Sequence, residues 1–247
     1  MLMIGNARGT IMSYFPDPAS ADDNGLVAVT QELTVPMLRE AYSRGIFPWS
    51  ENPVRWYSPD PRAIFLLDHV HLPKRLQRTL RQERYRVTFD TAFDQVIAAC
   101  AAGHQEDGVW ITSGFVRAYG EMHRLGQVHS VEVWDGEALV GGLYGVQLHG
   151  LFAGESMFHT VRDASKIAFA HLVTHLQRIG TLILDAQILT EQTARLGAIL
   201  VHRPDYLRLL ELAMQMTTVY ESSPWPPGPH LWHEEKIQYR ITLDDGR

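Results

Sequence analysis

The chain has 247 residues, a formal net charge of −6, 45% hydrophobic residues and one cysteine. This composition supplies a sizeable core and excludes a disordered chain, an internal disulfide or multi-cysteine metal site, and a surface coated all over by nucleic acid; one local basic patch stays compatible with it. The opening MLMIGNARGT lacks a basic start followed by an apolar run, no stretch is long and apolar enough to span a bilayer, and a lone thiol suits a reducing compartment, so a cytoplasmic protein is expected.

In chain order, the first predicted element is a helix. Thr34 is a plausible cap, Met37, Leu38, Ala41 and Tyr42 form one apolar face, and Gly45 stops it. A Pro-rich stretch follows through Pro48, Pro53, Pro59 and Pro61, where prolines interrupt regular structure. A boundary is placed here, giving a small unit over 1–62 and a larger one over 63–247. Leu72 to Arg86 reads as a helix with Leu72, Leu76 and Leu80 on one stripe and Lys74, Arg75, Arg78 and Arg81 opposite. Such a face either binds phosphates or is simply solvated. Asp90 is read as the cap of a helix ending at Gly103, with Cys100 on its apolar side, and Thr112 or Ser113 as the cap of another ending at Gly126. Val128 to Trp134, the Asp135-Gly136 turn, a return strand from Leu139 and a third strand from Leu151 to Phe158 make an antiparallel set. Asp163 is read as capping a long helix closed by Gly180. Then come a short strand from Leu182 to Asp185, a turn or short helix to Gly197, an apolar run, a helix over Tyr206 to Met216, and a tail from Ser222 expected to wrap the surface or hang loose. The expected class is α/β (α+β), helices around a mostly antiparallel sheet.

Four features could carry chemistry. The basic helix is one. Trp49, Trp56, Tyr57 and Trp110 are read as loop aromatics, which either stack on nucleobases or plug a join between domains. Gly154-Glu155-Ser156-Met157-Phe158 begins like a nucleophile elbow but lacks its final glycine; Glu155 is read either as a carboxylate in an apolar wall or as an outward strand residue. Asp185 and Gln187 end a strand on a shared face, where an acid beside an amide can hold an incoming amine, or else Asp185 simply begins a turn. His230 and His233 lack a third ligand, so no metal is expected. Gly141-Gly142 lacks the context of a nucleotide loop and is read as permitting close backbone approach.

The chain resembles the leucyl/phenylalanyl-tRNA–protein transferase family through an ordered set of motifs. These are Arg44-Gly45-Ile46-Phe47-Pro48-Trp49, Ser58-Pro59-Asp60-Pro61-Arg62, Trp110-Ile111-Thr112, His129 to Trp134, Leu139 to Gly145, Gly154 to Phe158, Ala164-Ser165-Lys166, Asp185-Ala186-Gln187 and Leu196-Gly197-Ala198. The resemblance implies a small N-terminal domain and an N-acetyltransferase-like (GNAT-like) C-terminal domain. It implies transfer of leucine or phenylalanine, less readily methionine, from aminoacyl-tRNA to proteins beginning with Arg or Lys, marking them for N-end-rule degradation by a monomer with no cofactor. It also implies residue roles. Trp49 and Trp110 would pack around the terminal adenosine with Tyr119 nearby. Leu143, Phe152, Met157, Phe169, Leu172, Leu176 and Leu184 would line the donor pocket. Glu155 and Gln187 would position the reacting groups with Asp185 supporting Gln187, and Lys74, Arg75 and Arg78 would meet the acceptor stem. The chain departs from the family's pattern at Thr30-Gln31-Glu32, Tyr57, Ala186 and Arg195, and the tail after Tyr220 looks unrelated. Two other readings are an acyl-CoA transferase on the same fold and a non-catalytic tRNA-binding module. The first needs a Gly-rich turn at a helix start, whereas Arg195 to Ala198 falls at a predicted helix end.

Overall fold

The computed structural model describes residues 13–103, 111–216, 225 and 228–229. Among them the chain forms two sheets. The small one is built from β1 (Leu26–Thr30), β2 (Phe47–Ser50) and β3 (Val54–Tyr57) in the order β1-β3-β2, with α1 (Val35–Ser43) between β1 and β2. Thr34 caps α1 as expected, accepting from the Met37 amide, and Met37, Leu38, Ala41 and Tyr42 are buried. The prolines do not abolish regular structure here. Pro48 lies in β2, an edge strand, where a missing N–H costs no ladder bond. Trp49 and Trp56 are therefore strand residues rather than loop residues, and Trp56 is fully buried with its indole N–H donating to Thr30.

The large sheet takes in β4 (Arg62–Phe65), β5 (Arg86–Phe89), β6 (Val128–Asp135), β7 (Ala138–Leu148), β8 (Leu151–His159), β9 (Ile183–Gln187), β10 (Ile199–Val201) and β11 (Gly228–Pro229). Their order is β10-β4-β9-β8-β7-β6-β5-β11. Every neighbouring pair is antiparallel except β8 and β9, which are parallel and paired only from Leu151↔Ile183 to Ala153↔Asp185. The mixed α/β class with a mostly antiparallel sheet is as expected. On one face lies α5 (Ala164–Arg178), buried along most of its length, in one apolar cluster with Phe65, Leu143, Phe152 and Leu184. Against the other face pack α3 (Phe93–Gly103) and α4 (Ser113–Arg124), whose cluster also takes in α1, β2 and β3, so the small sheet shares a core with the large one. Cys100 is in that core, as its spacing suggested. The alternation of β8 and β9 sends Leu151 and Ile183 to a third cluster with α7 (Arg203–Gln215), and Phe152 and Leu184 to the α5 side. Gly141 lets α5 start hard against the sheet: a Cβ there would meet that of Ala164 at 2.6 Å.

Several expectations are corrected. The basic helix, α2 (Lys74–Arg81), stops before Arg86, which opens β5; Glu83 takes a left-handed φ of 47° between them. Asp90 caps no helix. It accepts instead from the Ser130 amide at 2.8 Å and pairs with His129 at 2.7 Å, tying its turn to β6. Asp163 precedes α5, but its carboxylate takes Lys166 at 3.2 Å rather than a helix N–H. Of the turn or short helix expected before Gly197, the helix forms, as α6 (Glu191–Arg195). The tail is not all surface, for Trp225 is 5% exposed and Gly228–Pro229 pairs with the edge of β5. Among the described residues no helix is long and apolar enough to cross a membrane, and no group of His, Cys, Asp and Glu could hold a metal ion; His230 and His233 lie outside those residues.

Candidate active site

Where the pairing of β8 and β9 ends, at Ala153 and Asp185, the two strands part. A cavity of about 520 Å³ opens in the gap. Its apolar lining includes Phe65, Leu143, Met157, Phe169, Leu172 and Leu184, closed by Leu196 from the turn after α6. Glu155 and Gln187, one from each strand, also line it, and Pro48 and Trp49 of β2 complete it. A slot inserted at the break of a sheet gives apolar depth and places the polar ends of two strands beside it.

Of the residues expected to form a donor pocket, Leu143, Met157, Phe169, Leu172 and Leu184 line this cavity. Phe152 and Leu176 are not among its lining; they are fully buried in the apolar layer beneath. The lining also includes Phe65 and Ile188, which the sequence had not singled out, and Ala186, one of the departures from the family's pattern. Trp49 is 43% exposed, with Phe47 at 5.8 Å and Tyr57 near-perpendicular to it at 6.2 Å. Trp110 lies outside the described residues. Tyr119 is wholly buried; its hydroxyl serves Glu155 and its ring is not part of the lining.

Glu155 and Gln187 are bonded to each other. The Gln187 Nε2 donates to Glu155 Oε1 at 2.7 Å, while the Tyr119 hydroxyl donates to Glu155 Oε2 at 3.0 Å. Tyr119 is in turn 2.6 Å from the hydroxyl of Tyr42 on α1. Burial, with Glu155 close by, holds both tyrosines well above their ordinary pKa, so both stay protonated and able to donate. Burial pushes the Glu155 carboxyl up to about 7, with Asp185 adding to the rise and the bonds from Tyr42, Tyr119 and Gln187 opposing it. An ionised carboxylate only accepts, so it fixes which end of the Gln187 amide faces it and leaves the amide oxygen for an incoming N–H.

Asp185 sits 1% exposed behind this pair. It does not touch the Gln187 side chain. Its Oδ1 accepts from the Gln187 backbone N–H at 2.8 Å, at a residue with φ of 62°. The remaining partners are Arg62 and Tyr206, which sequence reasoning missed: Arg62 Nε reaches Oδ1 at 2.9 Å, Arg62 Nη2 reaches Oδ2 at 2.6 Å, and the Tyr206 hydroxyl donates to Oδ2 at 2.7 Å. A hint was present, since a charged residue opening the apolar run Arg62-Ala63-Ile64-Phe65 needs a buried partner.

The basic face of α2 stands apart from the cavity. Lys74, Arg75 and Arg78 are all exposed, with Arg75 4.0 Å from Asp163 at the start of α5. Phe169, in the cavity lining, lies six residues farther along α5, about 9 Å at 1.5 Å per residue. One helix thus runs from the basic patch to the slot.

Comparison with known proteins identifies the family. Residues 64–211 match the family described as leucyl/phenylalanyl-tRNA protein transferase, and residues 31–60 match that family's N-terminal domain. A protein of Anaeromyxobacter dehalogenans strain 2CP-C named leucyl/phenylalanyl-tRNA–protein transferase is 47% identical over 209 residues, 83% of this chain and 90% of its own length. One of the same name from Shewanella denitrificans strain OS217 is 47% identical over 194 residues, 78% of this chain and 83% of its own. With the slot, the Glu155–Gln187 pair and these matches in hand, the chain belongs to the leucyl/phenylalanyl-tRNA protein transferase family.

Proposed function

We propose that this protein moves leucine or phenylalanine, and less readily methionine, from aminoacyl-tRNA onto the N-terminal Arg or Lys of acceptor proteins, marking them for regulated degradation. The observation that carries the reading is the apolar slot with a hydrogen-bonded acid–amide pair in its lining. In this reading the donor side chain fills the space between Leu143, Met157, Phe169 and Leu172. The ester carbonyl is then held beside Gln187, and the terminal adenosine rests on Trp49. Lys74, Arg75 and Arg78 take phosphates of the acceptor stem. The chain acts as a cytoplasmic monomer of two units, 1–62 and 63–247.

An aminoacyl ester is already activated, so the reaction needs orientation more than a covalent nucleophile. The acceptor's α-amine, with an ordinary pKa of about 7.7–8.0, attacks the ester carbonyl once neutral. The C–N bond forms, the ester C–O bond breaks, and the amine's proton leaves on the departing ribose oxygen. Gln187 accepts an N–H of the amine through its amide oxygen and steers the lone pair toward the carbonyl. Glu155 holds the amide in that sense.

The test is a transfer assay offering Leu-, Phe- and Met-tRNA with peptides beginning in Arg, Lys, Asp or Glu. Label should appear on the Arg and Lys peptides alone. Gln187→Ala should lower kcat by about ten- to a hundredfold while tRNA affinity stays within about twofold. Absence of label on peptides with basic N-termini would sink the reading, and an unchanged kcat would remove Gln187 from it.

A further inference from the structure

We infer that Arg62 is a positioning residue for transfer: it clamps the Asp185 carboxylate, so that Asp185 fixes the main chain of Gln187 and moves no proton. The inference rests on the role proposed for Gln187 and decides what stands behind it.

Asp185 has no capacity left for a relayed proton. An ionised carboxylate offers about four lone-pair sites. On Asp185, Oδ1 is occupied by Arg62 Nε at 2.9 Å and the Gln187 N–H at 2.8 Å, and Oδ2 by Arg62 Nη2 at 2.6 Å and the Tyr206 hydroxyl at 2.7 Å. Each site faces a donor, so a proton arriving from Gln187 would displace one. A relay also needs a route from the Gln187 side chain, yet that side chain is bonded to Glu155 and only the backbone N–H reaches Asp185.

Stability alone does not account for the pair. A buried ion pair is weak evidence for stability, because well-packed apolar residues often replace one without loss. Here both partners are 1% exposed, and the same carboxylate holds Gln187 in a left-handed conformation that a non-glycine residue adopts at a cost. The pair therefore sits where it sets the angle at which Gln187 leaves β9.

Arg62 itself cannot swing. Its Nη1 donates to the Gly45 carbonyl at 3.1 Å, and its guanidinium lies 4.6 Å from the Phe47 ring and 4.7 Å from that of Tyr206. Gly45 has φ of 74°, and a Cβ there would meet Tyr206 at 2.7 Å, so the carbonyl's own position is fixed. Burial alone opposes the guanidinium charge, but Asp185, with smaller help from Tyr206 and Glu155, more than outweighs it and raises the Arg62 pKa above its usual value.

The test uses the full chain with Arg62→Lys, Tyr206→Phe and Asp185→Asn. Arg62→Lys keeps the charge and loses the fork. It should lower kcat by about ten- to a hundredfold, leave KM for charged tRNA within about twofold and leave the pH–rate profile in place; Asp185→Asn should lower kcat likewise and, with its charge gone from beside Glu155, move the Glu155 limb to lower pH without erasing it. Tyr206→Phe removes one donor, so it should lower kcat by a few-fold, and it keeps the inference falsifiable should Arg62→Lys fail to fold. A relay predicts otherwise: an acidic limb that vanishes in Asp185→Asn and moves in Tyr206→Phe would overturn the clamp, as would full kcat in folded Arg62→Lys. Independently of turnover, the Gln187 backbone amide resonance in ¹⁵N-labelled protein should shift in all three variants, and an unmoved signal also overturns it. If that resonance shifts but the wild type never transfers, the role proposed for Gln187 fails while the clamp survives.

Discussion

Glu155 is the residue whose charge state the site depends on most directly. Its carboxyl, raised to about 7 by burial, crosses from acid to anion just below the pH at which an α-amine becomes neutral. As the anion it accepts from Gln187 Nε2; as the acid it can donate, and the amide is then free to turn its other end toward it. The transfer rate should therefore show a limb near pH 7 as well as the amine's own near pH 8. Glu155→Gln should erase the lower limb and leave the upper one, which a pH–kcat series would record; two intact limbs would detach Glu155 from the amide's orientation. The same shift bears on stability. A folded pKa above the ordinary 4.5 means that the native state holds this proton more tightly. The associated stability is fully present below about pH 4.5 and is lost as pH rises through about 7. Glu155→Gln should accordingly raise Tm relative to wild type by more at pH 8 than at pH 5. Glu155, Asp185 and Gln187 were legible in the sequence because each is a polar residue in or at the end of an apolar run. Arg62 and Tyr206 were not, because their meaning lies in a partner 123 or 21 residues away, a juxtaposition that no local pattern records.

At the level of elements, period was informative where an element was long. The apolar faces of α1 and α3 follow from their spacing, α4 and α5 from the residues that bound them, and the hairpin of β6 and β7 from the turn between its strands. Strands of four residues such as β2, β3, β4 and β5 span too little sequence to show alternation, and they exist because of neighbours elsewhere in the chain. The slot inherits this limit. Phe65 belongs to β4, so the wall it supplies stayed hidden, whereas the walls from β7, β8 and α5 were anticipated by the resemblance. The amphipathic reading of α2 holds over Lys74–Arg81, with Leu76 and Leu80 buried and Lys74, Arg75 and Arg78 outward. Reversing those three charges to Glu should weaken binding of charged tRNA and flatten its dependence on salt, since every phosphate left without its cation takes about 0.9 off the slope of log affinity against log salt. A filter-binding series between about 50 and 200 mM salt gives the slope. Equal slopes for wild type and variant would return this helix to an ordinary solvated face.

Across the whole molecule the small N-terminal sheet and α1 act as a brace for the chemistry. Tyr42 reaches Glu155 through Tyr119, and Gly45 with Phe47 reaches Asp185 through Arg62. The two routes converge on opposite ends of one residue, the side chain and the main chain of Gln187. The fold class could be read from the alternation of elements, yet this convergence could not, because it depends on a core shared between the two sheets. The far end of the chain holds a further dependence. Trp225 is stacked on His129 at 4.2 Å and 5°, 4.4 Å from His175 and 5.8 Å from Phe152, and the strand following it covers the rim of β5. Trp225→Ala should cost about 3–5 kcal/mol, measurable by urea denaturation. A product clipped between 216 and 225 would lose the indole and the covering strand together. It would bare unpaired amides beside a ring-lined dent, and should scatter light and stick to its own copies while the intact chain stays dispersed. Trimming that removes Trp225 therefore disturbs the inner layer beneath the slot, and any version shortened that far needs its dispersion checked before its catalysis is compared.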